Sequence, residues 1–254
     1  ELVEGGHVAG WDDPRMPTVA GLRRRGFTPA ALRDFCDRIG VTKNDALIEM
    51  AVLETCIRDD LNANAPRRMA VLDPLKVTIT DLPDDHREPL VFQNHPQDAA
   101  FGTRDVVFGN TLWVEREDFA ETPPPKWQRL VEGGEVRLRG CYVIRCNEVL
   151  RDADGRVVEL RCTHDPDTLG KKPEGRKVKG VVHWVAAHDA VAAEVRLYDR
   201  LFSVPHPGGA DELTTALNPA SIVRCEHAQV EPALAQATAP PPSLRMALNA
   251  PRSL

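Results

Sequence analysis

Basic side chains are concentrated in residues 126–139, whose sequence is KWQRLVEGGEVRLR. If the second half of this stretch is a strand, Arg137 and Arg139 point to one face, because alternate residues of a strand share a face. Arg129 precedes the glycine pair at which we predict a turn. Arginine can donate two hydrogen bonds to one base edge, and proteins read single-stranded RNA by bonding the edges of splayed-out bases. The stretch therefore predicts RNA reading, with ordinary exposed strand arginines as the alternative.

A second basic stretch lies at residues 170–180, with five Lys or Arg against one Glu. The whole chain of 254 residues nevertheless has a formal net charge of -6 at pH 7. That balance argues against a protein that binds any nucleic acid through bulk positive charge. An acidic chain with local basic strips is typical of a protein that binds one specific polyanion. Solvated strand and loop charges are the alternative for either stretch.

Catalytic signatures are absent from the sequence, which contains no G-x-S-x-G elbow, no P-loop and no H-E-x-x-H motif. The adjacent carboxylates Asp12-Asp13 and Asp84-Asp85 lie in turn-rich stretches, where capping is their commoner use. The six cysteines show no C-x-x-C pair and no metal-ligand spacing, so we expect no metal site. No run of about 18 apolar residues occurs, and we expect no membrane partner.

Helix start and stop signals predict a small helical region in residues 1–67. The first helix ends with three consecutive arginines, Arg23, Arg24 and Arg25. They cannot share one face, because neighbouring residues of a helix lie about 100° apart, so at least one must face a partner or a carboxylate. The predicted helices run from Thr18 to Gly26, from Thr28-Pro29 to Gly40, and from Thr42 or Asn44 to about Asn64.

Alternating β-branched residues replace the helical pattern from Arg68 onward. Many short strands joined by long loops are typical of β-barrels or sandwiches. Arg67 lies at the junction between the helices and the first strand. The predicted strands lie near residues 69–80, 105–108, 111–116, 135–148, 157–163, 177–185 and 194–202.

Five long blocks of the sequence resemble glutaminyl-tRNA synthetases, which are class I enzymes, and they occur in the order found in that family. The first block resembles the segment that follows the family's ATP-site signature loop. Together the blocks cover nearly the whole chain up to about residue 232, which makes the resemblance more specific than any single motif. The blocks are WDDPRMPTVAGLRRRGFTPAALRDFCDRIGVTKND at Trp11–Asp45, APRRMAVLDPLKV at Ala65–Val77, VRLRGCYVIRC at Val136–Cys146, GRKVKGVVHWV at Gly175–Val185 and VRLYDRLFSVP at Val195–Pro205.

The resemblance implies a mainly β fold with an N-terminal α-helical subdomain and two β-barrels of the anticodon-binding type. Ribosomal proteins that bind five-S RNA share this type of barrel. The chain would cross from a proximal barrel to a distal barrel and return. The implied domains are the helical subdomain at 1–67, the proximal barrel at 68–118 with 195–237, the distal barrel at 119–194, and a tail at 238–254.

The resemblance also implies roles for three arginines that match the family's anticodon-reading positions. Arg67 matches the arginine that contacts the middle base, Arg129 the one that contacts the third base, and Arg137 the one that contacts the first base. Gln128 and Lys126 match neighbouring positions less well. Some members have a lysine where this chain has Gln128, and a glutamine where it has Lys126.

The resemblance further implies that the helical subdomain contacts the backbone of the tRNA. In the family it packs beneath the catalytic domain and against the inner corner of the L-shaped tRNA. Arg23, Arg24, Arg25 and Lys43 are then candidates for contacts with tRNA phosphates. A capped surface helix with solvated charge is the alternative.

The full enzyme of this family attaches glutamine to its tRNA with ATP and Mg²⁺, in the cytoplasm and as a monomer. Its nucleotide-binding fold, HIGH-like motif and MSK-like loop are not found in this sequence. We therefore expect a tRNA-binding portion without catalytic residues or a bound cofactor, inactive alone, whose partner is the glutamine isoacceptor and not DNA. The alternatives are the same portion of a glutamyl-tRNA synthetase, or a stand-alone RNA-binding barrel protein.

The C-terminal residues depart from the family pattern, which continues into a final strand carrying a glutamine and an arginine for the middle base. In this chain, residues 238–254 contain three consecutive prolines at Pro240–Pro242, which cannot sit in a paired central strand. We expect a disordered or loosely docked tail. Its origin would be either loss of the native C-terminus through a reading-frame change or a natural linker to a further domain.

Overall fold

The computed structural model describes residues 1–40, 43, 47–209 and 213–236. Three of its described α-helices lie in the N-terminal region, and all of its described strands follow those three helices. The α-helices are α1 (Val19–Arg25), α2 (Pro29–Ile39), α3 (Met50–Asn64) and α4 (Pro232–Gln236). The strands are β1 (Ala70–Val71), β2 (Pro74–Ile79), β3 (Arg87–Gln93), β4 (Thr103–Gly109), β5 (Thr111–Glu115), β6 (Glu135–Leu138), β7 (Val143–Arg151), β8 (Val157–Asp165), β9 (Val181–Val182), β10 (Val185–Ala186), β11 (Val191–Tyr198) and β12 (Ile222–Val230). The prediction of a mainly β fold with N-terminal helices is confirmed.

The first two helices begin and end where the sequence predicts. The Thr18 hydroxyl accepts a hydrogen bond at 2.9 Å from the Gly21 amide, and α1 ends at Gly26 with a left-handed φ of 102°. Thr28 caps α2 in the same way, and Pro29 is its first helical residue. A hydroxyl at this position satisfies one of the amides that a helix start leaves without an internal partner.

The third helix begins at Met50. This is later than predicted, because residues 47–49 are described and are not helical. The predicted start at Thr42 or Asn44 lies outside the described residues, as does the predicted tail at 238–254. None of the described helices has the length and apolar character that crossing a bilayer requires.

The described residues form two compact units. Unit 1 comprises the described parts of Glu1–Ala65 and Arg196–Arg224, and unit 2 comprises Pro66–Val195 with residues 225–236. In unit 1, Leu22, Phe27 and Leu53 form a small buried core. Leu32 and Phe35 of α2 pack against that core and cover part of it.

A buried ion pair fixes the loop before α1 within unit 1. Arg15 Nη2 lies 2.8 Å from Asp13 Oδ2, and the Ala9 amide donates to the same oxygen at 2.9 Å. Arg15 also donates to the Ser221 hydroxyl at 3.0 Å. The hydrogen bonds from the Arg15 side chain are the main cause that holds the pKa of Asp13 well below its usual range, although burial acts in the opposite direction.

A seven-stranded sheet with the order β10-β5-β2-β8-β7-β6-β9 dominates unit 2. Most neighbouring strands are antiparallel, but β2 is parallel to β8 and β6 is parallel to β9. The outermost strands, β9 and β10, are joined by only His183 and Trp184, and three residue steps span at most about 11 Å. The sheet must therefore curl until its edges approach each other, and it forms a half-barrel.

Trp184 lies at this closure with 0% of its surface exposed. Its indole Nε1 donates to the Arg139 carbonyl at 3.1 Å. Its ring packs edge-on against Phe92 and Phe108, with centroids 6.3 and 5.8 Å away. Edge-to-face packing of this kind adds about 0.5–1.5 kcal/mol per pair to the burial of the rings. The closed end of the sheet is therefore held by an aromatic core.

The two remaining sheets are the hairpin of β3 with β4 and a three-stranded sheet with the order β1-β12-β11. In the seven-stranded sheet, β2 and β5 come from the predicted proximal range, 68–118, whereas β6 to β10 come from the predicted distal range, 119–194. The boundary at residue 119 therefore does not separate two sheets, because β2 pairs directly with β8. The division into two barrels stays a prediction.

Candidate nucleic-acid interface

A groove of about 1000 Å³ lies on unit 2 where three segments of the chain meet. Its lining residues come from 123–129, from the turn at 131–135 and from 176–180, together with Arg145 on β7. The first and last of these segments belong to the two basic stretches of the sequence. The fold therefore joins both stretches in one groove, although they are far apart along the chain.

Lys126 occupies a strained turn on one wall of the groove. The Trp127 amide donates to the Pro124 carbonyl at 3.2 Å, which closes a turn whose third residue, Lys126, has a φ of 66°. Glycine is usual at the third position of such a turn, and a residue with a Cβ costs about 1–2 kcal/mol there. Lys126 is the one non-glycine residue with positive φ among the described residues. Such strain is often found at functional sites, which makes Lys126 a candidate.

The opposite wall approaches this turn so closely that only glycine fits at residue 180. A Cβ on Gly180 would lie 1.7 Å from the Gln128 carbonyl oxygen and 2.9 Å from Val136 Cγ2. The Gly180 carbonyl accepts a hydrogen bond at 3.0 Å from the Arg137 amide. This contact fixes the separation between the two basic walls.

Positive charge dominates the groove, whose wall carries six Lys or Arg side chains and one carboxylate, Glu135. Glu135 is already paired, since its Oε2 lies 2.8 Å from Arg176 Nε, and Arg176 also contacts Asp165 at 2.5 Å. Within the described part of the chain, the three groove lysines make no hydrogen bond or ion pair through their side chains. Their ammonium groups are therefore available to phosphates of a nucleic acid. The lysines are Lys126, Lys177 and Lys179.

Arg129 projects into the groove from an anchored position. Its side chain is 47% exposed, and its Nη1 lies 2.6 Å from Oδ1 of Asp118, whose side chain is 5% exposed. Burial raises the pKa of Asp118, and the charge of Arg129 acts in the opposite direction. Gln128 is exposed beside Arg129. The structure thus places three of the predicted site residues, Lys126, Gln128 and Arg129, on one wall.

Arg137 is not among the groove residues, because its guanidinium binds backbone carbonyls elsewhere. Nη1 donates to Cys141 at 2.9 Å and to Thr168 at 2.8 Å, and Nη2 donates to Lys171 at 2.5 Å. The predicted alternation of β6 is confirmed, with its second and fourth residues buried. Contact between Arg137 and a base would require these hydrogen bonds to be replaced, so its role as a base reader stays a prediction.

Arg67 is half-buried at the start of unit 2 and does not line the groove. Its amide donates to the Asn94 carbonyl at 2.6 Å. The neighbouring Arg68 donates to Asn94 Oδ1 at 2.8 Å and lies 3.7 Å from Glu231 Oε1. Glu231 is buried and also pairs with Arg104 at 3.0 Å. This network fixes the backbone from which Arg67 projects.

The predicted phosphate contacts of unit 1 have different surroundings. Arg23 is exposed, and Arg24 pairs at 3.0 Å with a carboxylate of the preceding loop. Arg25 donates to the Tyr198 carbonyl at 3.0 Å, and burial lowers the pKa of Arg25. Lys43 is exposed. The requirement that at least one of the three arginines meets a carboxylate or another partner is confirmed, and their phosphate contacts stay predictions.

From the sequence we predicted the basic stretch at 170–180 but assigned none of its side chains to the site. The structure adds Arg176, Lys177 and Lys179 from that stretch, and Arg145 from β7. The excess of Lys and Arg in residues 170–180 was the sequence signal that could have identified the side chains from that stretch. No comparable signal marks Asp118, because its ion pair is with Arg129, a residue of another segment.

Three family models match the chain, and all three describe domains of one family. The model of the catalytic domain of the class I (E and Q) tRNA synthetases matches residues 1–63. Two models of the anticodon-binding domain of the same family match residues 65–165 and 181–240. The chain therefore belongs to the class I tRNA synthetases of the E and Q group. The match at 1–63 disfavours a stand-alone RNA-binding barrel protein.

Three curated relatives of the chain are each named Glutamine--tRNA ligase. The relative from Alteromonas mediterranea is 57% identical over 223 residues, which cover 87% of this chain and 40% of the relative. The Vibrio cholerae relative is 55% identical over 238 residues, covering 93% of this chain and 43% of the relative. The Xanthomonas euvesicatoria relative is 57% identical over 240 residues, covering 93% and 41%. The chain spans about two fifths of the length of these relatives.

Proposed function

We propose that the groove of unit 2 binds the anticodon of the glutamine tRNA isoacceptor. The protein would then attach glutamine to that tRNA with ATP and Mg²⁺, in the cytoplasm and as a monomer. The observation that supports this proposal is the groove itself, in which cations from two distant stretches of an acidic chain line one surface. Membership of the class I (E and Q) tRNA synthetases supplies the class of RNA.

The chemistry of the groove suits single-stranded RNA. The three groove lysines, which have no side-chain partner among the described residues, can attract phosphates, and an exposed arginine beside them can donate two hydrogen bonds to one base edge. Both glutamine anticodons end in guanine, the base whose O6 and N7 accept a bidentate arginine. Arg129 is thus suited to read the third anticodon base, with Gln128 and Lys126 beside it.

The other predicted contacts complete the proposal. Arg67 would contact the middle base, and Arg137 would contact the first base after exchanging its carbonyl partners for the RNA. The unit 1 cations Arg23, Arg24, Arg25 and Lys43 would contact tRNA phosphates.

Carboxylates are scarce in the groove. Among the described residues, no group of three or more His, Cys, Asp or Glu could hold a metal ion. The one carboxylate of the groove, Glu135, is paired with Arg176. No chemical step is therefore assigned to these residues, whose proposed task is to bind and orient the tRNA.

Binding of tRNA transcripts to the chain tests the proposal. The probes are a glutamine tRNA transcript with the anticodon CUG, transcripts with each anticodon base replaced, and a glutamate tRNA transcript, each titrated at about 50 to 200 mM salt. We expect Arg129→Ala to weaken binding of the parent transcript by about 5- to 150-fold, the value of one bidentate base contact. The matched control is Arg156→Ala, an exposed arginine outside the groove.

Selective weakening by each anticodon change would support the proposal. Tighter binding of the glutamate transcript would favour a glutamyl-tRNA synthetase. Salt-sensitive binding that ignores the anticodon would refute base reading and leave only phosphate attraction.

A further inference from the structure

We infer that Asp118 is a positioning residue, which holds the Arg129 guanidinium in the orientation that reads a base in the groove. The inference rests on the proposed function, because it assigns the cause of the orientation of Arg129 rather than a separate activity. Asp118 does not line the groove and is not expected to touch RNA.

In this ion pair the Asp118 side chain is buried, whereas the Arg129 side chain that would contact the base is exposed. Asp118 Oδ1 lies 2.6 Å from Arg129 Nη1, yet the side chain of Asp118 is 5% exposed and that of Arg129 is 47% exposed. A guanidinium has five N–H donors. The Asp118 carboxylate contacts Nη1 of Arg129, so Nη2 and Nε remain for a bidentate contact with a base.

Backbone hydrogen bonds fix the two partners relative to each other. The Leu130 amide donates to the Asp118 carbonyl at 2.9 Å, and the Ala120 amide donates to the Leu130 carbonyl at 3.1 Å. Asp118 also ends a short 3-10 helix, Arg116–Asp118, that follows β5. The carboxylate therefore sits on a braced segment, and Arg129 cannot move away from it as a free surface arginine could.

The charges around Asp118 leave Arg129 as its direct partner. Among the described residues, Arg129 is the cation within ion-pair distance of the Asp118 carboxylate. His183, Glu115 and Glu117 act on it only through longer-range electrostatics. A buried carboxylate with one partner has a strong preference for keeping that partner in place, because separation would leave its charge unpaired.

The orientation of the Arg129 guanidinium affects discrimination between bases more than it affects overall affinity for the RNA. A guanidinium that rotates freely still attracts phosphates, because its charge is unchanged, but it loses part of its preference for guanine over other bases. Asp118→Asn keeps an acceptor of similar shape and removes the negative charge. We therefore expect binding by this variant to lose part of its discrimination at the third anticodon base while keeping its dependence on salt.

The experiment measures binding of the chain to the CUG transcript and to a transcript with adenine as the third anticodon base, for Asp118→Asn, Arg129→Ala and the double variant. We expect Asp118→Asn to reduce the preference for guanine about 3- to 10-fold, a fraction of the effect of a whole bidentate contact. The double variant should discriminate no less than Arg129→Ala alone, because Asp118 acts through Arg129. Glu117→Gln removes an equal charge from the exposed neighbouring residue and should leave the preference unchanged.

The outcomes separate failure of this inference from failure of the proposed function. If Arg129→Ala abolishes the preference and Asp118→Asn leaves it intact, the positioning inference is wrong and the proposed function stands. If Arg129→Ala itself has no effect on the preference for guanine, Arg129 does not read this base, and the positioning inference is wrong as well. Should Asp118→Asn unfold at the assay temperature, Asp118→Glu keeps the charge but displaces it. Wild-type discrimination in that variant would overturn the inference.

Discussion

Replacing Gly180 with alanine tests whether the close approach of two chain segments maintains the groove. A Cβ there would lie 1.7 Å from the Gln128 carbonyl oxygen, whereas real Cβ contacts essentially never fall below 3.0 Å. The segments must therefore separate by about 1.3 Å, the difference between these distances. Because the obstructing atom belongs to the backbone, rotation of a side chain cannot relieve the contact.

The separation has two measurable effects. Overpacking of this kind costs about 1–3 kcal/mol, and we expect the free energy of unfolding of Gly180→Ala to fall by that amount. The same movement shifts Arg129 relative to the lysines of the opposite wall. A hydrogen bond of about 2.9 Å that lengthens by about 1.3 Å is lost, so affinity for the CUG transcript should fall by about 5- to 150-fold.

Urea unfolding and transcript binding measure the two effects separately. Gly208→Ala is the matched control, because a Cβ on Gly208 meets no atom within 4 Å. That control should retain the wild-type affinity and change the free energy of unfolding by less than about 1 kcal/mol. Unchanged unfolding and unchanged affinity in Gly180→Ala would refute the view that this contact sets the groove.

Three further perturbations test other parts of the structure. Lys126→Gly should be more stable than Lys126→Ala by about 1 kcal/mol in urea unfolding, because only alanine keeps the cost of the left-handed φ; equal stability would contradict the strained turn. Arg137→Ala should lose about 1.5–3 kcal/mol and speed hydrogen exchange at residues 166–171, since its guanidinium holds those carbonyls; selective loss of first-base discrimination without faster exchange would favour base reading instead. The ion pair of Asp13 with Arg15 lowers the pKa of Asp13 below its unfolded value of about 3.9, so its contribution is complete above that pH and is lost as pH falls toward the folded pKa. The difference in free energy of unfolding between wild type and Asp13→Asn should therefore shrink below about pH 4, and a difference that stays constant down to about pH 2 would contradict this cause.

Local signals in the sequence predicted the helices well because each depends on a few adjacent residues. Thr18 and Thr28 precede their helices, and Gly26 follows the first, so capping could be predicted without knowledge of the rest of the fold. The alternation in β6 was equally local. The start of α3 was less clear, since Glu49 at that position makes no side-chain capping hydrogen bond.

The groove depends on contacts between distant residues, and for that reason only part of it could be predicted. The basic character of both walls is visible in the sequence, but their meeting requires Gly180 to lie against Gln128. The hydrogen bonds of Arg137 also depend on a distant loop, which local alternation cannot anticipate. Asp118 is a single acidic residue in a short turn, and only the fold pairs it with Arg129.

The parallel pairing of β2 with β8 sets a minimum time for folding during synthesis. Lys76 on β2 bonds Glu159 on β8 at 3.0 Å across 83 residues of chain. Ribosomes add about 5–20 residues per second, so about 4–17 s separate the appearance of these two strands. During that interval β2 can pair with β5 alone, and its other edge stays open to incorrect strand partners. The strand order thus leaves the nascent chain open to incorrect strand pairing until β8 is synthesised, and slower translation beyond residue 115 would lengthen that interval.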